Sequence, residues 1–489
     1  MPIDMRDPHL RHEVPLNDDR QRPRWQWLFL TFCTLTVLVA FLLNRRQNDT
    51  DRGPVTTDPA APGLSTHPRP VEPEYSQPHP TRHAPFPEPT AEEIVARKLA
   101  EFARTRREFA NALARRHNVQ VSQEVERFFA AVESGNWKDI EATFQKINGG
   151  DSSAGHADKR APDVEKLWPA IIDAYGVAEQ VHLWPAQKLL DYGDAVLGAL
   201  RPGMVYVGGT DNGRWIPELL NDTNDGERHI IVTQNALADS TYVDYVGLQY
   251  NDRLANLSEE ESKRAFADYV SDAQKRLEHD QQFPDEPKQI RPGEDVRVVD
   301  GKVQVSGQIA VMAINEKLLQ ALMQKNPDLT FAIQESFPLR GTYADALPLG
   351  PLMELQARDE QNTFTAERAA QSLDYWRNAA QQILSDPEAA GSDAALKSWS
   401  HDTVAAANLL ASHSFGAEAE AAYRLGTQLW PGNPESAGGL ADLLAASGRE
   451  NEAKQLLDDF ARKYPDQLKD LERSSSAVRF LWTAKQTGP

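Results

Sequence analysis

Apolar and polar residues are spaced differently in successive stretches, and the spacing predicts what each stretch does. Residues 1–24 are polar and charged. Residues 25–43, WQWLFLTFCTLTVLVAFLL, carry no charge and are apolar on every helical face. At ~1.5 Å per residue this run nearly crosses a hydrocarbon core of about 30 Å. Trp25 and Trp27 suit one membrane interface, and Arg45 and Arg46 the other. A single uncleaved transmembrane helix anchored in the lipid bilayer is expected. A cleaved signal peptide is the alternative, but no convincing A-x-A site follows the run. Arg6, Arg11, Arg20, Arg22 and Arg24 precede the run, against Arg45, Arg46 and Arg52 after it. That bias places the N-terminus in the cytoplasm and the C-terminal bulk outside it, as in a single-pass protein of a bacterial inner membrane. Residues 44–89 are proline-dense with few large apolar side chains, which predicts an extended linker. His67, His79 and His83 lie there at irregular spacing, so they read as polar linker residues rather than a metal site.

Beyond the linker the period becomes helical. Thr90 and Glu93 have capping-box spacing and open a long basic helix running to about Arg116. Val125, Phe128, Phe129 and Val132, then Trp137, Ile140, Phe144 and Ile147, mark a helical hairpin turned at Ser134-Gly135-Asn136. Two more helices are expected between residues 164 and 200, which closes a helical region at 90–200. Residues 201–360 mix the two periods, as in an α/β domain. Short apolar runs at 205–207, 229–232 and 329–333 read as strands. Asp300-Gly301 between two β-rich runs signals a two-residue hairpin. Residues 309–314 read as a further strand, with Asn315 capping a helix that ends near Lys325. Parallel and antiparallel signals coexist, and strand order cannot be read. Residues 361–489 are helical and alanine-rich, with matches at a period of 34: Ala419 with Ala453, Tyr423 with Leu457, Pro431 with Pro465. That register predicts a tetratricopeptide-like α-solenoid for contact with a protein partner. The fold class expected is therefore mixed α+β and α/β behind a single N-terminal transmembrane helix.

The most site-like stretch is MVYVGGTDNGRW, residues 204–215. A buried strand would end in Gly208-Gly209, where the missing Cβ permits a sharp turn at positive φ. Asp211 can then cap a helix whose N–H groups suit an anion. In open α/β sheets ligands bind beyond the carboxyl ends of strands. Gly208, Gly209, Thr210, Asp211 and Arg214 from the first strand, Asn235 from the second and Glu335 from the third would gather there if the strands are parallel neighbours. The competing expectation is turn chemistry, with Asp211 as a cap, Arg214 as its partner and Asn235 closing a turn. GGTDNGR is neither GxGxxG nor a P-loop, and the chain has no metal-ligand cluster, G-x-S-x-G or Cys/His nucleophile pair. No cofactor or metal is expected, and whether the chain is an enzyme stays open.

Charge narrows the partners. The 52 Lys and Arg against 72 Asp and Glu leave −20, essentially all of it beyond residue 52. This argues against nucleic-acid binding, which needs a basic surface. Cys33, the only cysteine, rules out an intrachain disulfide.

Taken together, LWPAIIDAYGVAEQVHLWPAQ, VYVGGTDNGRWIPELL, VTQNALADSTYVDYV and NPDLTFAIQESFPL resemble the soluble region of a bacterial membrane-protein group. In that group a GGTD-x-GR stretch precedes TQNALAD-like and ESFPL stretches and tetratricopeptide-like helices. Some members carry this region behind a multi-pass part similar to lipid-linked-sugar glycosyltransferases. The resemblance covers residues 122–465. This chain has Asn212 where the group has proline, and one helix where those members have the multi-pass part. The resemblance implies a cell-envelope scaffold or binding protein that holds a protein partner and an envelope glycoconjugate. The alternative it leaves is an enzyme or accessory subunit of envelope glycosylation acting on a sugar or phosphate-bearing substrate. It supplies no catalytic residues.

Overall fold

The computed structural model describes residues 88–148, 160–291, 294–299, 301–337, 340–355 and 363–474. The expected membrane helix at 25–43 and the linker up to residue 87 lie outside them. Among the described residues no helix is long and apolar enough to cross a membrane. The fold is helix-rich around one small mixed sheet.

Helix α1 (Ala91–His117) starts as its capping box predicts, with Thr90 and Glu93 bonding each other's backbone amides. Its buried stripe is Val95, Leu99, Phe102, Arg106, Ala110 and Leu113, steps of three and four that put one arginine in an apolar row. Helices α2 (Gln123–Ser134) and α3 (Trp137–Ile147) form the expected hairpin, with Gly135 left-handed at φ +71°. Helices α4 (Pro162–Leu183) and α5 (Ala186–Ala199) follow. Helix α4 packs on α1 and is buried on nearly every face from Leu167 to Gln180.

The sheet has the order β2-β1-β5-β7-β6. Strand β1 (Val205–Gly208) lies parallel to both β2 (Ile230–Thr233) and β5 (Phe331–Ile333). The parallel adjacency that the candidate site requires is therefore present. Strands β6 (Ala346–Leu349) and β7 (Leu352–Leu355) add an antiparallel hairpin against β5. Sequence reading missed this hairpin, because Pro348 and a run of leucines carry no alternation. Met353 pairs with Ile333, so the β6–β7 turn stands at the same edge as the carboxyl ends of β1, β2 and β5. Between the strands lie α6 (Asn212–Asp222), α7 (Ser240–Tyr250) and α8 (Glu259–Gln282). The Asp-Gly signal marks a separate antiparallel ribbon, β3 (Asp295–Val299) with β4 (Lys302–Ser306).

Residues 309–314 are helical, within α9 (Gln308–Lys325). A short apolar run does not distinguish a buried strand from a buried helix, and here Ala310, Val311, Ile314, Leu318 and Leu322 all face the core at helical spacing. Asn315 is consequently no cap. It sits mid-helix, donating to Val311 and Asn235 carbonyls (3.0 and 3.3 Å) and accepting from the Ala238 amide (2.9 Å). It thereby ties α9 to the turn after β2.

After the short α10 (Arg340–Tyr343) the chain is helical: α11 (Ala366–Ser385), α12 (Pro387–Ala390), α13 (Asp393–Ser412), α14 (Gly416–Leu429), α15 (Pro434–Ala446), α16 (Glu450–Lys463), a 3-10 turn (Pro465–Gln467) and α17 (Leu468–Ser474). Ala419 and Ala453, thirty-four residues apart, are both fully buried where paired helices approach. Helix α13 packs on α14 and also on β6 and β7. The apolar core therefore runs unbroken from Val95 to Leu471, across the boundary that the sequence suggested near residue 360.

Candidate functional site

At the carboxyl edge the turns after β1, β2 and β5 are bound to one another. Asn235 donates through Nδ2 to Thr210 Oγ1 at 3.0 Å and Ser336 Oγ at 3.3 Å. Thr233 Oγ1 donates to the Gly209 carbonyl at 2.8 Å. With its amide oxygen toward the donors, Gln234 accepts from the Ser336 and Phe337 amides at 2.8 and 3.1 Å. Asp211 caps α6, its Oδ1 accepting from the Gly213 amide at 2.9 Å. Neither Gly208 nor Gly209 adopts positive φ. The glycines supply room instead: a Cβ on Gly209 would lie 2.0 Å from the Ser336 side chain, and one on Gly208 2.6 Å from the Arg214 Cβ. So the structure gathers Gly208, Gly209, Thr210, Asp211 and Asn235, and their contacts are mostly with each other.

Arg214 leaves the group. Its guanidinium donates to Asp173 at 2.8 Å and pairs with Glu218 at 3.1 Å, rather than with Asp211. There it meets Arg106 from α1, which donates to Glu218 and Asp222 at 2.7 Å each and stacks over Phe102 at 4.0 Å. Tyr245 donates to the second oxygen of Asp173 at 2.9 Å. This network joins α1, α4, α6 and α7 in the interior. Burial pushes the Glu218 carboxyl up to about 8, Asp173 adds to the shift, and the two guanidiniums oppose it.

Glu335 stays at the edge and faces α13. Its Oε1 accepts from Asn408 Nδ2 at 3.0 Å, and Asn408 Oδ1 in turn accepts from the Tyr423 hydroxyl at 2.7 Å. Its backbone carbonyl accepts from His401 Nε2 at 2.6 Å. The other ring nitrogen of His401 lies 2.9 Å from Glu435 Oε2, so protonation of both nitrogens satisfies both neighbours. Burial opposes that charge on His401, but Glu435, with Asp402 behind it, outweighs burial and holds the pKa well above the usual histidine range. Asp402, the next residue, has both oxygens occupied, by Gln334 Nε2 at 2.7 Å and by the Tyr192 hydroxyl at 2.8 Å. Burial raises it to about 6, against the pull of His401 and its two hydrogen bonds.

One polar atom of this cluster is left over. Glu335 is 4% exposed, and its Oε2 has no hydrogen-bond partner among the described residues. Burial raises this carboxyl to about 8, only partly offset by the Asn408 bond and His401. Glu335 lines a small recess, with room for about one water molecule, between the β6–β7 turn, α11 and α13. Asp402, Trp376, Ile333, Met353 and Leu409 line it too. The indole Nε1 of Trp376 is likewise buried without a partner among the described residues.

No protein-family model, curated protein or solved structure matches the chain. What the site can hold follows from its own groups. Four carboxylates (Asp211, Glu335, Asp402, Glu435) stand near one imidazole, and the nearest sequence-predicted arginine faces away, so the edge is poorly suited to a phosphate. Among the described residues no group of three or more His, Cys, Asp or Glu is placed to hold a metal ion. Glu335 and Asp402 are a buried carboxyl pair with separated pKa values, a pattern used in acid–base catalysis. Asp402 is a poor base here, since both its oxygens already accept hydrogen bonds. Sequence reading found Glu335 but missed His401, Asp402, Asn408 and Trp376. They sit in helices whose spacing records only packing, and the one local hint is the polar HD pair opening HDTVAAANLL.

Proposed function

We propose that this chain is a ligand-binding scaffold of the bacterial cell envelope, anchored by residues 25–43 with its bulk outside the cytoplasm. The observation that carries the reading is Glu335. Its carbonyl and one carboxylate oxygen are fastened to α13, while the second oxygen is left without a partner beside a recess. A buried carboxylate oxygen without a partner calls for an explanation, and beside a recess a water, an ion or a ligand group supplies one. The sheet forms one wall of the recess and the C-terminal helices form the other. Those helices, read as tetratricopeptide-like, hold a protein partner on their outer faces, and the recess takes part of a glycoconjugate. Binding is favoured over catalysis because both Asp402 oxygens already accept hydrogen bonds, from Tyr192 and Gln334, which weakens Asp402 as a base.

The test is retention without turnover. The full chain and its Glu335→Leu variant are purified from envelopes, and the small molecules each retains are identified by mass spectrometry. A molecule held by the native chain, lost by the variant and chemically unchanged after long incubation supports binding. Conversion of that molecule to a product would establish the enzyme instead. Equal retention by both proteins would remove Glu335 from the site.

A further inference from the structure

We infer that His401 is a proton-dependent pin: its doubly protonated ring ties the carboxyl edge of the sheet and the start of α15 to one point on α13, and loss of one proton loosens α15. The inference concerns how the fold is joined, and it holds whether or not a ligand occupies the recess beside Glu335. Geometry carries it. Nε2 lies 2.6 Å from the Glu335 carbonyl, and Nδ1 lies 2.9 Å from Glu435 Oε2. A carbonyl and an ionised carboxylate only accept, so each ring nitrogen has to donate. A neutral imidazole has one N–H and serves one of them. The two acceptors differ in what they can do without it. Glu335 is 4% exposed, whereas the Glu435 side chain is 48% exposed. Stranding a buried carbonyl costs more than releasing a carboxylate that can turn to water. The neutral ring therefore keeps its N–H on the Glu335 carbonyl and presents a bare Nδ1 to Glu435, which moves into solvent.

Glu435 stands in the first turn of α15, whose N-cap is Asn433. Asn433 also donates to Ser400 Oγ at 2.8 Å, a bond to α13 that does not titrate, so α15 is loosened rather than detached. The charged groups around the ring are acidic: Glu435 on α15, Glu335 after β5, Asp402 on α13 itself and Asp211 at the cap of α6. Burial works against the second proton on the ring, and the carboxylates, Glu435 foremost, outweigh it. Glu335 ionises only near 8 and from there adds a further charge that delays release. An unfolded histidine titrates near 6.5, below His401 in the fold. The contribution of the pin is therefore full below pH 6.5 and is lost as pH rises through the folded value.

Full-length protein with isotope-labelled histidine is kept in detergent micelles, and nitrogen–proton NMR spectra of the imidazoles identify His401 by the signal lost in His401→Gln. At about pH 7.5, where an ordinary histidine is neutral, His401 should still carry both protons. Glu435→Gln should shift its titration to lower pH, and Glu335→Gln should shift it less. A single proton at that pH, or a titration unmoved by Glu435→Gln, would overturn the pin. What the proton holds together is read from urea midpoints between about pH 7 and 10. The series is run in a Glu335→Gln background, which removes that carboxyl from the slope. The midpoint should fall as pH rises when His401 is present, and fall less in His401→Gln. Glu435→Gln should flatten it too, because an amide accepts from the charged ring and donates to the neutral one. Equal slopes in all three proteins would show that the ring proton joins nothing and would overturn the inference. Neither readout involves a ligand, so a failure here is distinct from a failure of the retention experiment.

Discussion

Arg106 in α1 and Glu335 after β5 are both charged residues sunk in apolar surroundings, yet their neighbourhoods differ in kind. Around Arg106 each carboxylate faces a guanidinium: Asp173 meets Arg214, and Glu218 meets both arginines. Around Glu335 the carboxylates face amides and hydroxyls, and the cluster has a single cation, His401. The first arrangement holds four helices in register. The second leaves an oxygen without a hydrogen-bond partner beside a recess, while burial raises carboxyls in both, Glu218 in the first and Glu335 and Asp402 in the second. Buried charge matched by opposite charge is architecture. Buried charge matched incompletely, at the carboxyl end of a sheet, is where a ligand is to be sought.

The largest effect should come from breaking the matched cluster. Arg106→Ala leaves Glu218 and Asp222 short of a cation in the interior, and removing one partner of a buried pair typically costs about 3–5 kcal/mol. Urea unfolding of the protein measures it, and a loss below about 1 kcal/mol would mean the network is not what joins α1 to the rest.

The unmatched carboxyl should show itself through pH. An unfolded glutamate titrates near 4.5, whereas Glu335 in the fold titrates near 8. Between those values the folded chain binds the extra proton. The contribution of Glu335 is therefore fully favourable below pH 4.5 and is lost as pH rises through 8. Glu335→Gln should remove that part of the slope, roughly 1–4 kcal/mol across the window. Melting curves of both proteins from pH 4 to 9 supply the comparison, and parallel curves would place Glu335 in contact with water.

A smaller effect is expected in the C-terminal helices, where packing alone is at stake. Ala453 is fully buried, and Ala453→Trp should cost ~1–3 kcal/mol by overpacking. An unchanged thermal melt would show that Ala453 is not at a tight helix crossing.

Smallest of all is Asp211→Asn. Asparagine caps nearly as well as aspartate, so stability should change by only about a few tenths of a kcal/mol. A loss of ligand with an unchanged melt would bring Asp211 back into the site.

These four residues also show what a sequence discloses. Caps were legible because their chemistry is local: Thr90 with Glu93 forms the expected reciprocal pair. Strands β1, β2 and β5 were legible from apolar runs ending in polar turns, but their parallel adjacency was not, because nothing local fixes strand order. The direction of Arg214 was not, because its partners Asp173 and Arg106 lie on helices far away in sequence, and spacing is silent about such pairs. Arg106 left one trace, a charge at a step of the α1 apolar stripe, in a helix that the sequence marks only as basic. Asn408 and His401 left none, since a polar residue on a packed helix looks the same whether it faces water or a carboxylate.

The Arg106–Glu218 bond closes a loop of 112 residues. During synthesis α1 emerges with a guanidinium in its apolar stripe and no carboxylate to receive it until α6 has followed. Contacts this distant in sequence tend to slow folding, because loop closure precedes any reward. A fragment cut between residues 200 and 201, where the helical and α/β regions meet in sequence, would leave Arg106 on one piece and Glu218 on the other. Each half would then carry one side of a buried ion pair, and both are expected to be less stable than the whole.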